Sequence, residues 1–369
     1  MVRGSSFGVA LASVRSRIAS VLVLLACAFA PEFAFAQSVP PPSTYYSIDS
    51  QGVDVVSGAY FGASHTVSVG QPGMGGLAYT RTYDSSAQYW RDNVTGTINS
   101  AGSTYTVTLM DSSETFTLSG GVWTSSEGRG GTLTFDSTPN EYTYTTASGV
   151  VAIYDKDFAS SQPTQANQGR VTQVTMPSGE RWIFTYTELR TPALPTPPTF
   201  LAHRIQSITN NLGYQLSFKY ENNDTDDSGI NLIQVMAINN AIDYCDPTAN
   251  GCALSGWPTL AFGVDGTAIT VTDATSRTWR YAITSGRITG VRWPSSTSDD
   301  ITLAYNGTTG RIYTLTSTAG TWTYTFDPSV GTASVAYPGA PAARVYTITN
   351  GRVTGYLNST ISETYTYDS

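Results

Sequence analysis

At 369 residues the chain is long enough for one large core or two domains, and only 12% of its residues are charged. Its 34 Gly and 23 Tyr, beside abundant Thr and Ser, suit strands joined by tight turns and exclude the Lys-, Glu- and Leu-rich make-up of a helical protein. A net charge of −8 lacks the basic footprint of a nucleic-acid binder; basic proteins or metal cations would complement it, and an acidic surface also serves solubility by itself.

Residues 1–36 form a secretory signal peptide. Arg3, Arg15 and Arg17 precede an apolar run over residues 18–30, and Ala34-Phe35-Ala36 supplies a small-x-small cleavage site. The mature chain then begins at Gln37, after Ala36, and its net charge falls to −10. Two other fates of the leader stay open. It could be retained as an anchor, although 13 apolar residues are short for a span. It could also be lipidated at Cys27 within Leu24-Leu25-Ala26-Cys27. Residues 37–50, with Pro40-Pro41-Pro42, read as an extended N-terminal arm.

Residues 51–158 read as a β region. Strands are expected at 53–56, 66–69 and 77–83, with a loop at 71–76. His65 lies among them without a Cys, Asp or Glu neighbour and reads as an ordinary strand residue. Beyond residue 89, strands are expected at 96–98, 105–110, 115–118, 121–124, 132–135, 141–145 and 150–154. Such even spacing marks a meander sheet or barrel, not βαβ units. Gly128-Arg129-Gly130-Gly131 has no Lys-Ser/Thr after it, so it is a turn and not a phosphate cradle.

Residues 159–369 carry hairpin units. In Gly310–Asp327 (GRIYTLTSTAGTWTYTFD), Trp322, Tyr324 and Phe326 alternate with Thr321, Thr323 and Thr325, which puts rings on one face and hydroxyls on the other. The unit recurs from Gly169, Gly286 and Gly351, each beginning Gly-Arg-Val/Ile and leading to an aromatic strand. A single hairpin cannot bury its oily face, so neighbours must stack. Residues 203–220 form a degenerate copy. Residues 191–199, with four prolines, form a loop. An insertion spans residues 221–257. Its Asp224, Asp226, Ser228 and Gly229 partly copy a calcium loop, but Val235 stands where a bidentate Glu is needed, so a solvated acidic loop is the simpler reading. Cys245 and Cys252, the only cysteines of the mature chain, are a disulfide candidate in an exported protein.

These units resemble the YD repeats of the RHS-repeat family, whose pattern is Gly-Arg-Leu/Val, a Gly-containing turn and a strand ending Tyr-Thr-Tyr-Asp; Tyr365-Thr366-Tyr367-Asp368 matches it fully. Elsewhere the pattern is degenerate, with Thr187 and Asn306 in place of the final Asp. Residues 53–58 and 76–85 (GLAYTRTYDS) are similar to the start of the shell in secreted bacterial members. The resemblance implies one long antiparallel sheet wound into a cocoon that, in full-length relatives, encloses a C-terminal toxin or effector. Asp246-Pro247 and Asp327-Pro328 lack the continuation of the family's self-cleavage core. Cleavage, encapsulation and toxicity are therefore not carried over.

The chemistry of the residues agrees with a non-catalytic part. Neither His65 nor His203 lies near a Gly-x-Ser-x-Gly elbow, and most Asp residues fall in turns, where they cap backbone. Paired carboxylates would be visible only in three dimensions. No catalytic residue, cofactor or metal site is assigned.

The sequence therefore predicts an all-β chain: a long antiparallel meander of YD-type hairpins forming an open, curved partial β-cocoon. Its expected role is an exported scaffold, periplasmic, surface-bound or extracellular, completed by further repeats or a downstream chain at its C-terminal edge. Membrane contact is expected only if the leader is retained or lipidated. The alternative is a cell-surface adhesion or carbohydrate-binding module, in which Trp182, Trp279, Trp322 and Tyr324 would stack on sugars.

Overall fold

The computed structural model describes residues 46–71, 74–110, 112–156, 169–190, 200–223 and 231–366. The chain divides into Met1–Val39 and Pro40–Ser369, and every described residue lies in the second unit. Cys27, the Ala36–Gln37 cleavage site, the proline loop at 191–199 and the candidate calcium loop at 224–230 lie outside the described residues. Among the described residues there are 26 strands and no helix.

The first three strands form a sheet of their own: β1 (Ser64–Val69), β2 (Leu77–Asp84) and β3 (Tyr89–Asp92), antiparallel in that order. The large sheet begins with β4 (Gly96–Ala101), β5 (Thr104–Leu109), β6 (Ser112–Ser119), β7 (Val122–Ser125), β8 (Thr132–Asp136), β9 (Glu141–Thr145) and β10 (Val151–Asp155). It continues through β11 (Gly169–Thr175), β12 (Arg181–Arg190), β13 (Phe200–Asn210), β14 (Tyr214–Tyr220), β15 (Leu232–Asn239), β16 (Thr259–Asp265) and β17 (Ala268–Thr272). It ends with β18 (Thr278–Thr284), β19 (Arg287–Arg292), β20 (Ile301–Tyr305), β21 (Ile312–Ser317), β22 (Gly320–Asp327), β23 (Thr332–Ala336), β24 (Arg344–Thr349), β25 (Arg352–Leu357) and β26 (Ser362–Thr364).

Sequence neighbours lie side by side throughout, so the large sheet is a meander. It is not closed into a barrel: among the described residues β26 has a register only with β25. It curls back once, where β4 pairs with the start of β11 through Ile98↔Gly169 and Thr97↔Arg170. The approach is close enough that a Cβ on Gly96 would lie 2.4 Å from Val171, which requires glycine there.

The Gly-Arg starts have a local cause. In Ser285-Gly286 and Asn350-Gly351 both residues have positive φ, forming two-residue loops with the twist of a type I′ hairpin turn. In two of the units the Arg lies over its own unit's last ring. Arg287 lies 5.8 Å from the Tyr305 ring and Arg311 lies 5.2 Å from that of Phe326.

Period-two alternation sets the two faces of the sheet. Along β22, Trp322 and Tyr324 are buried, whereas Thr321, Thr323 and Thr325 are exposed. Outer hydroxyls pair across strands, as in Thr316–Thr321 at 3.0 Å, Thr272–Thr278 at 2.9 Å and Thr349–Thr354 at 3.1 Å. The inner rings join one continuous core that also contains Val53, Tyr60, Leu77, Tyr79 and Tyr83.

The 51–158 region therefore divides near Val94. Residues before it, with the three-stranded sheet, sit against the inner face of the wall, and residues after it start the wall. Contacts from this inner segment reach β14 and β15 through β2, β16 through β1, and β22 through Asp49. Nine strands at ~4.8 Å spacing would span roughly 40 Å if flat, far wider than a three-stranded sheet. The wall must curve around what it encloses.

One stretch is covered on both faces. Strands β14 and β15 bury consecutive residues because the loop after β15 lies on their outer side. There Met236, Ile238 and Cys245 pack with Cys252, Leu254 and Trp257. Cys245 and Cys252 form a disulfide. Trp257 donates its indole N–H to Asp243 at 2.9 Å.

Candidate functional site

The seat between the inner segment and the wall brings a histidine, an arginine and several aromatic rings together. Alternation along β1 turns His65 and Val67 inward, and both are buried. On the wall, β18 presents Tyr281, whose hydroxyl lies 2.5 Å from His65 Nε2. Trp279 packs edge-on to the His65 ring at 4.9 Å, and Trp90 of β3 packs edge-on to Tyr281 at 5.9 Å. Arg81 of β2 lies 4.6 Å from the Phe262 ring and 5.4 Å from that of Trp90. Burial holds His65 down to about 4, and Asp273 opposes that shift.

Two backbone contacts fix the seat further along. Ile312 donates its amide to the Gly58 carbonyl at 3.0 Å, and Tyr83 donates its hydroxyl to the Gly286 carbonyl. Asp49 accepts from the amides of Gln51 and Val53 with Oδ1 and from the Tyr324 hydroxyl, at 2.8 Å, with Oδ2. Burial raises the Tyr324 phenol, and Asp49 raises it further.

The four rings named as sugar-stacking candidates all meet this core. Trp322 and Tyr324 are buried within it; Trp182 and Trp279 are half-buried against it. Trp182 also donates to Glu180 at 2.6 Å. The structure does not bring the four together into one exposed groove: they stand on β12, β18 and β22.

Other acidic groups are engaged. Buried Glu114 accepts from Ser125 Oγ at 2.6 Å and from the Tyr144 hydroxyl at 2.8 Å. Buried Asp84 is paired with Arg91 at 2.5 Å. Burial also lowers His203 to about 4, helped by Arg170 and Arg190. Among the described residues no three His, Cys, Asp or Glu side chains gather in a way that could hold a metal ion.

A cleft that sequence reasoning missed opens at the end of the wall. Ser47, Ile48, Asp49 and Val55 of the inner segment face Tyr346, Val353, Tyr356 and Tyr365 across a cavity of about 270 Å3. Tyr346 and Tyr356 are cross-strand partners with ring centroids 5.4 Å apart. Alternation along residues 344–357 is the signal that points to them. That the inner segment supplies the opposite wall cannot be read from spacing.

No family model matches the chain, and no curated protein matches it. Solved structures do align with it. The crystal structure of TcdB2-TccC3-Cdc42 is 13% identical with a TM-score of 0.36, over 77% of this chain and 18% of that one. The Tc holotoxin pore of Photorhabdus luminescens is 14% identical with a TM-score of 0.38, over 88% and 19%. The N-terminal domain of the effector protein SpvB from Salmonella typhimurium is 11% identical with a TM-score of 0.33, over 78% and 99%. The chain thus spans about a fifth of the Tc toxin chains it aligns with.

Proposed function

We propose that this chain is an exported, non-catalytic β scaffold, the N-terminal part of an RHS-type shell wound on its own first segment. The observation that carries this reading is the seat. Residues 47–92 lie against the inner face of the wall, and rings from successive hairpins pack on them in one core. The YD-like units and the leader support the same reading, and the Cys245–Cys252 bond suits an oxidising compartment. The inward packing of Trp322 and Tyr324 favours a wall over a sugar-stacking face. The inner face is occupied by the chain itself, so the scaffold does not act as an empty container over this stretch.

Expression of the full chain with its own leader in a secreting bacterial host, followed by fractionation and intact-mass analysis, tests the proposal. The expected result is an exported, folded product that starts at Gln37, with the disulfide formed and no turnover of glycoside, ester or peptide substrates. A product retained in the cytosol would overturn it. So would turnover abolished by one carboxylate substitution.

A further inference from the structure

We propose that the split between β21 and β22 is a binding site for a small aromatic monocarboxylate. Arg311 holds the carboxylate, and the rings of Tyr313 and Phe326 take the apolar body. This gives the wall a binding role beyond that of a scaffold.

The split shows in the ladders. β21 and β22 pair only from Ser317↔Gly320 to Thr314↔Thr323. Continued in register, Tyr313, Ile312 and Arg311 would stand opposite Tyr324, Thr325 and Phe326, and these pairs do not form. The same two strands keep their other neighbours: β21 pairs with β20 as far as Tyr305↔Ile312, and β22 pairs with β23 as far as Asp327↔Thr332. The strands therefore part without ending, and a cleft of about 440 Å3 opens there. That volume falls in the range of small-molecule sites, about 300–1,000 Å3. The inner segment closes its back. Ile312 donates its amide to the Gly58 carbonyl at 3.0 Å, and a Cβ on Gly58 would lie 2.7 Å from Arg311 Cβ and 3.0 Å from Phe326 Cζ.

The lining supplies donors and ring faces. Arg311 lines the cleft with its guanidinium 5.2 Å from the centre of the Phe326 ring. In this acidic chain Arg91, Arg277 and Arg280 pair with carboxylates, whereas Arg311 pairs with none among the described residues. Asp327, next to Phe326, instead accepts from the amide and hydroxyl of Ser329. A guanidinium over a ring face keeps its N–H fork available for two parallel bonds to a carboxylate. Tyr313, 48% exposed, offers a second ring. Acceptors are scarce by contrast. Asn306 Oδ1 accepts from the amides of Thr308 and Thr309, Thr309 Oγ1 accepts from the Arg311 amide, and the Tyr324 hydroxyl is given to Asp49. A sugar needs acceptors for its hydroxyls, and inorganic phosphate has no apolar body for the rings. A carboxylate only accepts, and an aromatic body covers ring surface.

The test uses the mature full chain with phenylacetate and its uncharged twin phenylacetamide. Ligand-observed NMR titration gives affinity, and amide exchange gives the site. The expected result is a Kd of about 1 mM or tighter for phenylacetate and binding about tenfold weaker for the amide. Exchange should slow over residues 311–313 and 324–326. Arg311→Gln should erase the preference for the acid. Tyr313→Ser should weaken both probes about threefold and keep the preference. Tyr313 is exposed, so this second variant carries the test should Arg311→Gln not fold. Equal affinities for the two probes would overturn the proposal, as would a preference unchanged in Arg311→Gln or protection elsewhere in the chain. Displacement of phenylacetate by equal glucuronate or inorganic phosphate would overturn it, and so would no binding at about 10 mM.

Discussion

His65 and Tyr281 stand 216 residues apart, yet the imidazole Nε2 and the phenol oxygen are 2.5 Å apart. Their contact joins β1 of the inner sheet to β18 of the wall at a point sealed by Trp279 and Trp90. A neutral imidazole suits this site, and burial lowers its folded value to about 4.

Acid should therefore weaken the seat. A lowered folded value means that the unfolded chain takes up the proton first. The stabilisation is complete above the ordinary value of 6.5 and is lost as pH falls from there through about 4. His203 shifts the same way. Each histidine can add a slope of up to about 1.4 kcal/mol per pH unit inside that window. Urea unfolding compared at about pH 7.5 and about pH 4.5 should show lower stability in acid, with a smaller loss in His65→Phe.

The two faces of β22 should respond oppositely to truncation. Trp322→Ala empties a buried position and should cost about 3–5 kcal/mol. Thr323→Ala, on the exposed face, should change stability by less than about 0.5 kcal/mol. Comparison of urea midpoints at constant slope checks both.

Gly58 adopts φ of +73°, and a Cβ there would lie 2.7 Å from Arg311 Cβ. Gly58→Ala should therefore cost about 1–2 kcal/mol in backbone strain, with a further loss as the Gly58–Ile312 hydrogen bond shifts. Amide exchange at Ile312 should rise in this variant more than at Leu315, which lies farther along the same strand.

Removal of the disulfide should act on the outer cap. A Cys245→Ser, Cys252→Ser double variant loses about 2–3 kcal/mol of restraint on that loop. Exchange should accelerate over residues 241–258 and at Met236 and Ile238, while Trp322 and Tyr324 keep their environment. Uniform loosening of the entire wall would contradict this.

The strands β8, β9 and β10, within residues 132–155, are legible in the sequence because their polarity alternates, with one face more deeply buried than the other. That signal fails at β15, where Leu232–Asn239 reads as a nearly continuous apolar run because the disulfide-bound loop covers its outer side. It fails too at β3, whose Tyr89-Trp90-Arg91-Asp92 is four residues long and half-buried throughout. Alternation says that Trp322 and Tyr324 share a face; it does not say what that face meets. The Asp49–Tyr324 and His65–Tyr281 contacts span most of the chain, and no local pattern encodes them. His65 reads as an ordinary strand residue because its partners are rings, not acids or thiols.

The position of the inner sheet ahead of the wall in the chain has a consequence for biogenesis. A polypeptide synthesised amino end first delivers the spindle before the thread. Each hairpin emerging later finds a surface waiting for it and need not search for distant partners. Moving residues 46–94 to the carboxyl end by circular permutation should therefore slow folding far more than it alters the finished molecule, and pulse-chase protease resistance would register that delay.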